Sequence, residues 1–235
     1  MVGLRIGQIH PKLSAKHIIS ACNESLRRLQ TDYIDLYQMH HIDRDTPWEE
    51  IWQAMEILVA QGKVLYVGSS NFAGWHIAQA NEISKKRNFL GLVSEQSLYN
   101  LSQRSVELEV LPCCKEYGLD FIPWSPLAGG MLGGQPSNNE KSRRKASTDR
   151  YEKFNDQLDK YFSACKEYSI EPAQLSLAWL LHNPVVTAPI IGPRTVEQLD
   201  ESLISVDYNM EENLINVLDK IWPGPGGSAP EAYAW

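Results

Sequence analysis

Residues 33–70 read YIDLYQMHHIDRDTPWEEIWQAMEILVAQGKVLYVGSS, which places two apolar runs on either side of a helical pattern. The runs Tyr33–His40 and Val64–Ser70 are short and apolar on both faces, as buried parallel strands are. Between them a helix is predicted at Trp48–Gln61, because a Thr-Pro pair precedes it and a glycine follows it. A strand–helix–strand unit of this kind predicts a parallel sheet covered by helices.

The same alternation extends in both directions from this stretch. Further helices are predicted at Ser14–Leu29, Trp75–Arg87, Ser105–Tyr117, Arg150–Tyr168, Pro172–His182, Val196–Ile204 and Glu211–Ile221. Further strands are predicted at Leu92–Gln96, Phe121–Ser125 and Val185–Ile191, and a long polar loop at Ala128–Ser147. The fold class is therefore α/β with about five β/α units. A (β/α)8 barrel needs eight strands and about 250 residues, so either the sheet is open and doubly wound or part of a barrel is absent.

Composition describes an ordinary globular chain. Its 235 residues are 43% hydrophobic, which suffices for a sizeable core, and the formal net charge is -7. This acidic balance argues against a nucleic-acid or anionic-membrane surface, and there is no apolar run of about 18 residues to span a bilayer. The four cysteines form no CxxC pair, so reduced thiols and a cytoplasmic location are expected.

Polar and aromatic side chains recur where the predicted strands end. They are His40, Ser70, Asn71, Gln96, Trp124 and Ser125. The carboxyl ends of parallel strands meet at one edge of a sheet, where such folds place their active sites. A histidine there can polarise a carbonyl, and amide side chains beside an indole suit a ring that carries an amide. Each residue alone could equally be a strand cap or a hydrogen-bonded core group, and only the coincidence across four strands suggests a shared pocket.

Two segments suit phosphate. Residues 127–134, LAGGMLGG, follow the fourth strand, and glycines let a backbone approach a diphosphate closely, although a flexible loop is the alternative. Residues 191–195, IGPRT, open a predicted helix, whose N-terminus favours phosphate and whose Arg194 could pair with it. Thr195 could also be a simple N-cap that forms a capping box with Gln198, and both interpretations can hold together.

Four stretches together resemble the aldo-keto reductases. They are SLRRLQTDYIDLYQMH (25–40), QGKVLYVGSSNF (61–72), WSPLAGGMLGG (124–134) and IIGPRTVEQLDES (190–202), and the tail PGPGGSAPEAYAW (223–235) is similar to that of bacterial members. The resemblance implies a (β/α)8 barrel that binds NADPH without a Rossmann motif. It also implies hydride transfer between the nicotinamide and a small-molecule aldehyde or ketone, with no metal.

The resemblance assigns roles to individual residues. His40 matches the catalytic histidine, and Trp124 matches the aromatic side chain under the nicotinamide ring. The carboxamide-binding residues are matched by Ser70, Asn71 and Gln96. The diphosphate-binding residues are matched by Ser125, Leu127, Gly129 and Gly130. The adenosine-phosphate end is matched by Gly192, Arg194, Gln198 and Glu201, and the cation of Arg194 favours NADPH over NADH.

The resemblance leaves out most of the family's catalytic tetrad. No residue matches its Asp, Tyr or Lys. Tyr37 is not expected to replace the missing tyrosine, because it is three residues from His40 and should point to the opposite face of the strand. We therefore expect an N-terminally truncated barrel without the first three strands, divided into an irregular segment 1–13, a barrel domain 14–222 and a tail 223–235. Impaired turnover and self-association through open sheet edges are expected in turn.

Two other functions are weighed against this one. The chain could be a non-catalytic NADPH-binding or interaction module, since the cofactor-binding residues are mostly present and the catalytic ones mostly absent. A metal-dependent hydrolase built on His40, His41 and Asp43 is disfavoured, because adjacent histidines on a strand point to opposite faces.

Overall fold

The computed structural model describes residues 2–3, 13–134 and 153–233. Its chain divides into two compact units, each formed by two segments. The first unit comprises Met1–Ser97 and Glu109–Phe121, and the second comprises Leu98–Leu108 and Ile122–Trp235. No helix in the described part of the chain has both the length and the hydrophobicity needed to cross a membrane.

The first unit contains a parallel sheet whose strand order follows the chain. Its strands are β1 (Val2–Gly3), β2 (Ile34–Met39), β3 (Val64–Ser70), β4 (Leu92–Gln96) and β5 (Asp120–Phe121). Each strand pairs in parallel with the next, as the β/α alternation predicted. The two outer strands are only two residues long, and β1 was not expected from the sequence.

Four helices accompany this sheet: α1 (Ala15–Leu29), α2 (Trp48–Ala60), α3 (Gly74–Lys86) and α4 (Val110–Tyr117). The core between α2 and α3 is aromatic. Trp52 is fully buried, with ring centroids 5.7 Å from Trp48 and 5.5 Å from Phe89. Its indole Nε1 donates to the Ala80 carbonyl oxygen over 3.0 Å, so the one polar atom of this large side chain is satisfied.

The second unit is mainly helical. Its helices are α5 (Asn155–Glu167), α6 (Pro172–His182), α7 (Val196–Leu203) and α8 (Glu212–Ile221). The guanidinium of Arg104 joins distant segments, since it donates to carboxylates of Glu107 and Asp219 and to the Trp222 carbonyl oxygen over 2.5–2.9 Å. Its planar group also lies 5.1 Å from the Trp179 ring centroid, so charge and stacking are satisfied at one place.

Three predicted elements are wrong in part or in full. The strand predicted at Phe121–Ser125 forms only as β5, Asp120–Phe121, and Trp124 makes just an isolated bridge. No strand forms at Val185–Ile191, where Pro189 lacks an amide hydrogen and cannot join a ladder. The helix predicted at Ser105–Tyr117 is split into a 3-10 turn, Ser105–Glu107, and α4. Pro112 explains the break, because its ring would clash with the carbonyl group four residues earlier in a continuous helix. Of the predicted loop Ala128–Ser147, the part after Gly134 lies outside the described residues.

Candidate functional site

In the first unit, three predicted site residues lie together where β3 and β4 end. Ser70 and Gln96 are register partners across the two strands. Asn71 links them, because its backbone N–H donates to the Gln96 carbonyl oxygen over 3.0 Å and its Nδ2 donates to Ser70 Oγ over 2.9 Å. We call Ser70, Asn71 and Gln96 the strand-end cluster. It combines one hydroxyl and two primary amides, a set that can both donate and accept hydrogen bonds.

Beside this cluster lies a carboxylate that sequence reasoning missed. The side chain of Glu95 is fully buried and accepts hydrogen bonds from Ser69 Oγ (2.5 Å), Ser97 Oγ (2.6 Å) and the Phe72 backbone N–H (3.1 Å). Burial raises the pKa of Glu95, and these hydrogen bonds oppose that shift. A charged residue inside the predicted strand Leu92–Gln96, with Ser94 and Ser97 close by, was the available signal in the sequence.

His40 lies one residue beyond β2, and its side chain is exposed. Its ring is 4.4 Å, centroid to centroid, from that of His41 in an edge-on arrangement. An exposed imidazole at the carboxyl end of a parallel strand is accessible to a ligand, and the catalytic role of His40 stays a prediction.

Asp43 accepts hydrogen bonds from its own loop and from Leu13. Its Oδ2 accepts from the Leu13 backbone N–H and from Thr46 Oγ1, both over 2.7 Å, and its Oδ1 accepts from the Asp45 backbone N–H over 3.0 Å. Burial alone would raise the pKa of Asp43, but these hydrogen bonds outweigh burial and lower it. The carboxylate is thus a structural acceptor, and the described residues contain no group of three His, Cys, Asp or Glu side chains arranged to hold a metal ion.

Tyr37 contacts helix α1. Its ring is fully buried, and its hydroxyl donates to the Ile18 carbonyl oxygen of α1 over 3.3 Å. Burial also raises the pKa of Tyr37, further from the range of a proton donor at neutral pH. This tyrosine therefore supports the helix–sheet contact and does not replace the family's acid.

In the second unit, the predicted diphosphate segment forms a tight turn. Trp124 makes a parallel bridge with Leu98, and the backbone then enters the left-handed region at Ser125 (φ 56), Gly129 (φ 71) and Gly130 (φ 98). Within the turn, the Gly129 N–H donates to Ser125 Oγ over 3.2 Å. Leu127 lies in the same turn, and its carbonyl oxygen accepts from the Gly130 N–H over 2.8 Å. Mixed left- and right-handed residues of this kind form backbone concavities that suit anions.

The predicted adenosine-phosphate residues surround the start of α7. Thr195 is its N-cap, and its hydroxyl accepts from the Gln198 backbone N–H over 3.3 Å, as predicted. The Gln198 side chain accepts from the Arg194 backbone N–H over 2.9 Å, one residue before the N-cap, so the expected reciprocal bond is displaced by one position. The side chains of Arg194 and Glu201 are exposed, and so is Gly192.

Comparison with known proteins gives a consistent result. The model of the Aldo/keto reductase family matches residues 2–223. An uncharacterized oxidoreductase, YrpG of Bacillus subtilis, is 54% identical over 90% of this chain and 65% of its own length. Versiconal hemiacetal acetate reductase of Aspergillus parasiticus is 33% identical over 88% of this chain and 62% of its own length.

A further relative has a name of another kind. A putative voltage-gated potassium channel subunit beta of Schizosaccharomyces pombe is 32% identical over 89% of this chain and 65% of its own length. The chain therefore spans between 62% and 65% of the length of these three curated relatives.

Proposed function

The chain belongs to the aldo/keto reductase family, and from that premise we propose that it binds NADPH and acts in the reduction of a small aldehyde or ketone. The observation that carries this proposal is the strand-end cluster. Its three residues are already linked at the ends of β3 and β4, because the Asn71 side chain donates to Ser70 Oγ and the Asn71 backbone N–H donates to the Gln96 carbonyl oxygen. These are the positions to which the resemblance assigns binding of the nicotinamide carboxamide.

The residues present fit the cofactor in their chemistry. A carboxamide offers one acceptor oxygen and two N–H donors, and the strand-end cluster offers partners for both. In the second unit, the left-handed turn at 125–130 suits a diphosphate, and the exposed guanidinium of Arg194 suits a 2′-phosphate, which favours NADPH over NADH. When bound, NADPH would supply the hydride.

His40 is proposed as the residue that donates a hydrogen bond to the substrate carbonyl oxygen. Reduction also needs a proton for the resulting alkoxide, and Tyr37 is committed to the Ile18 carbonyl oxygen. We therefore propose weak turnover for the 235-residue chain by itself, because loss of general acid catalysis costs about 10²–10⁴-fold in rate. The same proposal includes three further expectations. The sheet belongs to a (β/α)8 barrel, the protein is cytoplasmic, and it self-associates through its sheet edges.

A second candidate is a non-catalytic NADPH-binding or interaction module. The relative named as a putative voltage-gated potassium channel subunit beta favours it, since that name describes a subunit and not an enzyme activity. The cofactor-binding residues serve either function, and only the role of His40 separates the two.

Thermal unfolding with and without NADPH tests the shared part of both proposals. A hundredfold excess over Kd should add about 2.7 kcal/mol to the free energy of unfolding and raise the melting temperature. A cooperative transition that NADPH leaves unchanged would contradict both. If NADPH does raise the melting temperature, an activity assay separates the two functions. Reduction of a reactive aldehyde that is lost in His40→Ala would support the reductase, whereas NADPH binding without turnover would support the module.

A further inference from the structure

We propose that Glu95 is a positioning residue that holds the strand-end cluster in the geometry that receives the nicotinamide carboxamide. The inference rests on the proposed binding of NADPH and adds to it a residue that does not itself touch the cofactor. Glu95 lies between Ser94 and Gln96 on β4, so its side chain points to the sheet face opposite that of Gln96.

The hydrogen-bond donors of Glu95 come from both strand ends. Ser69 and Phe72 flank the Ser70–Asn71 pair, and Ser97 directly follows Gln96. One carboxylate thus ties the end of β3 to the end of β4 beside every member of the strand-end cluster. Rotation or displacement of either end would break at least one of these bonds.

The conformation of Asn71 shows why such a tie is needed. Its φ of 58 lies in the left-handed region, which residues with a side chain adopt rarely and only where neighbouring contacts hold them there. The next residue, Phe72, donates its N–H to Glu95 Oε1 over 3.1 Å. The carboxylate thus holds the residue that directly follows the left-handed Asn71.

Packing alone does not account for a glutamate at this position. A fully buried carboxylate loses its hydration, and an apolar side chain of similar volume would fill the space without that penalty. The hydrogen bonds that offset the effect of burial on the pKa of Glu95 all come from residues at the two strand ends. The polar contacts with the two strand ends are therefore what the carboxylate provides.

The test compares two ligands that differ only in the nicotinamide. NADPH and 2′-phospho-ADP-ribose are titrated against wild type, Glu95→Leu and Glu95→Gln by calorimetry. Glu95→Leu should weaken NADPH binding on the order of tenfold, as expected if the displaced strand-end cluster loses one hydrogen bond to the carboxamide. The affinity for 2′-phospho-ADP-ribose should stay the same. Glu95→Gln should restore most of the affinity, because its oxygen can accept from Phe72 and Ser97 while its amide group donates to Ser69 Oγ.

Asn81→Leu is the matched control. Asn81 is buried and accepts from the Leu92 N–H over 2.8 Å, which anchors the opposite end of the same strand. Its loss should lower the melting temperature without changing the ratio of the two affinities. A purely structural role for Glu95 would make Glu95→Leu behave in the same way, and that result would overturn the inference.

Hydrogen exchange separates failure of the inference from failure of the proposed function. If wild type binds neither ligand, the proposed NADPH function is wrong. The role of Glu95 is then tested by the hydrogen-exchange rate of the Asn71 backbone amide. Faster exchange of that amide in ligand-free Glu95→Leu would support positioning, and unchanged exchange would contradict it. Should Glu95→Leu fail to fold, Ser97→Ala removes one donor and should shift the affinity ratio in the same direction by a smaller factor.

Discussion

The strand-end cluster of the first unit and helix α7 of the second unit both contain residues that the sequence assigned to cofactor binding, yet they are built differently. Ser70 is 3% exposed, and its neighbours are held by strand register and by the buried Glu95. No residue of α7 is buried, and Val196 at its start is 68% exposed. The first region is therefore organised by tertiary packing and the second by local capping.

This difference has a consequence for stability. A group placed by strand register cannot move unless the sheet opens, so it shares the stability of its unit. A helix without buried side chains depends on its cap and its own hydrogen bonds, and it can unfold locally. Ligand binding should therefore order α7 more than it orders the strand-end cluster.

The largest expected contrast comes from two helical leucines. Leu58 of α2 is fully buried, whereas Leu203 of α7 is 52% exposed. Leu58→Ala should lower the free energy of unfolding by about 2–5 kcal/mol, and Leu203→Ala should change it by less than about 0.5 kcal/mol. Urea unfolding of both variants measures this, and equal losses would show that α7 is packed as tightly as α2.

The next contrast concerns two glycines in the left-handed region. A Cβ at Gly91 (φ +82) would collide with Ser84 Oγ and lie 2.7 Å from Asn81 Oδ1, whereas Gly62 (φ +68) has no atom within 4 Å of that position. Gly91→Ala should cost about 2–4 kcal/mol, from backbone strain plus overpacking at the start of β4. Gly62→Ala should cost only the strain, about 1–2 kcal/mol. A thermal melt that ranks Gly62→Ala as the more harmful variant would refute this account.

A smaller effect is expected at the two helix caps. Thr195→Ala removes the hydroxyl that accepts from Gln198 and should destabilise α7 by about 1 kcal/mol, visible as faster hydrogen exchange within Val196–Leu203. Ser14 is the N-cap of α1 but makes no side-chain cap bond, so Ser14→Ala should leave the exchange of α1 unchanged. Similar effects at both caps would contradict the claim that α7 depends on its capping bond.

The last contrast is one of sign. Burial raises the folded-state pKa of Glu95, so its contribution to stability is present below its unfolded pKa of about 4.3 and is lost as pH rises through the folded pKa. Hydrogen bonds from its own backbone N–H and from Thr195 lower the pKa of Glu197, so its contribution is present above about pH 4.3 and is lost as pH falls through the folded pKa.

Stability curves against pH for Glu95→Gln and Glu197→Gln check this. Relative to wild type, the first variant should lack a decrease in stability as pH rises from about 4.3, and the second should lack a decrease as pH falls below it. If wild type and Glu95→Gln show the same dependence of stability on pH, the pKa of Glu95 is not raised in the folded state, and this prediction is wrong.

Local sequence patterns predicted much of this molecule. The bounds of β3, β4 and α6 match the predicted Val64–Ser70, Leu92–Gln96 and Pro172–His182, because a short segment that starts with apolar residues, or a helical repeat, between clear boundaries leaves little choice of structure. Register then follows from parallel pairing, which is why Ser70 and Gln96 could be expected at one edge of the sheet.

The tertiary structure decided what depends on partners distant in the chain. Val185–Ile191 has the composition of a strand, but a strand requires a neighbour for its amides, and Pro189 cannot donate. The residues next to Glu95 in the sequence do not show that Ser69 and Phe72, from the preceding strand end, also donate to its carboxylate. The amino-acid sequence by itself determined the family and most of the elements in their order, because these follow from local periodicity and residue identity. Which polar groups are buried together depended on non-local contacts, and only folding creates those.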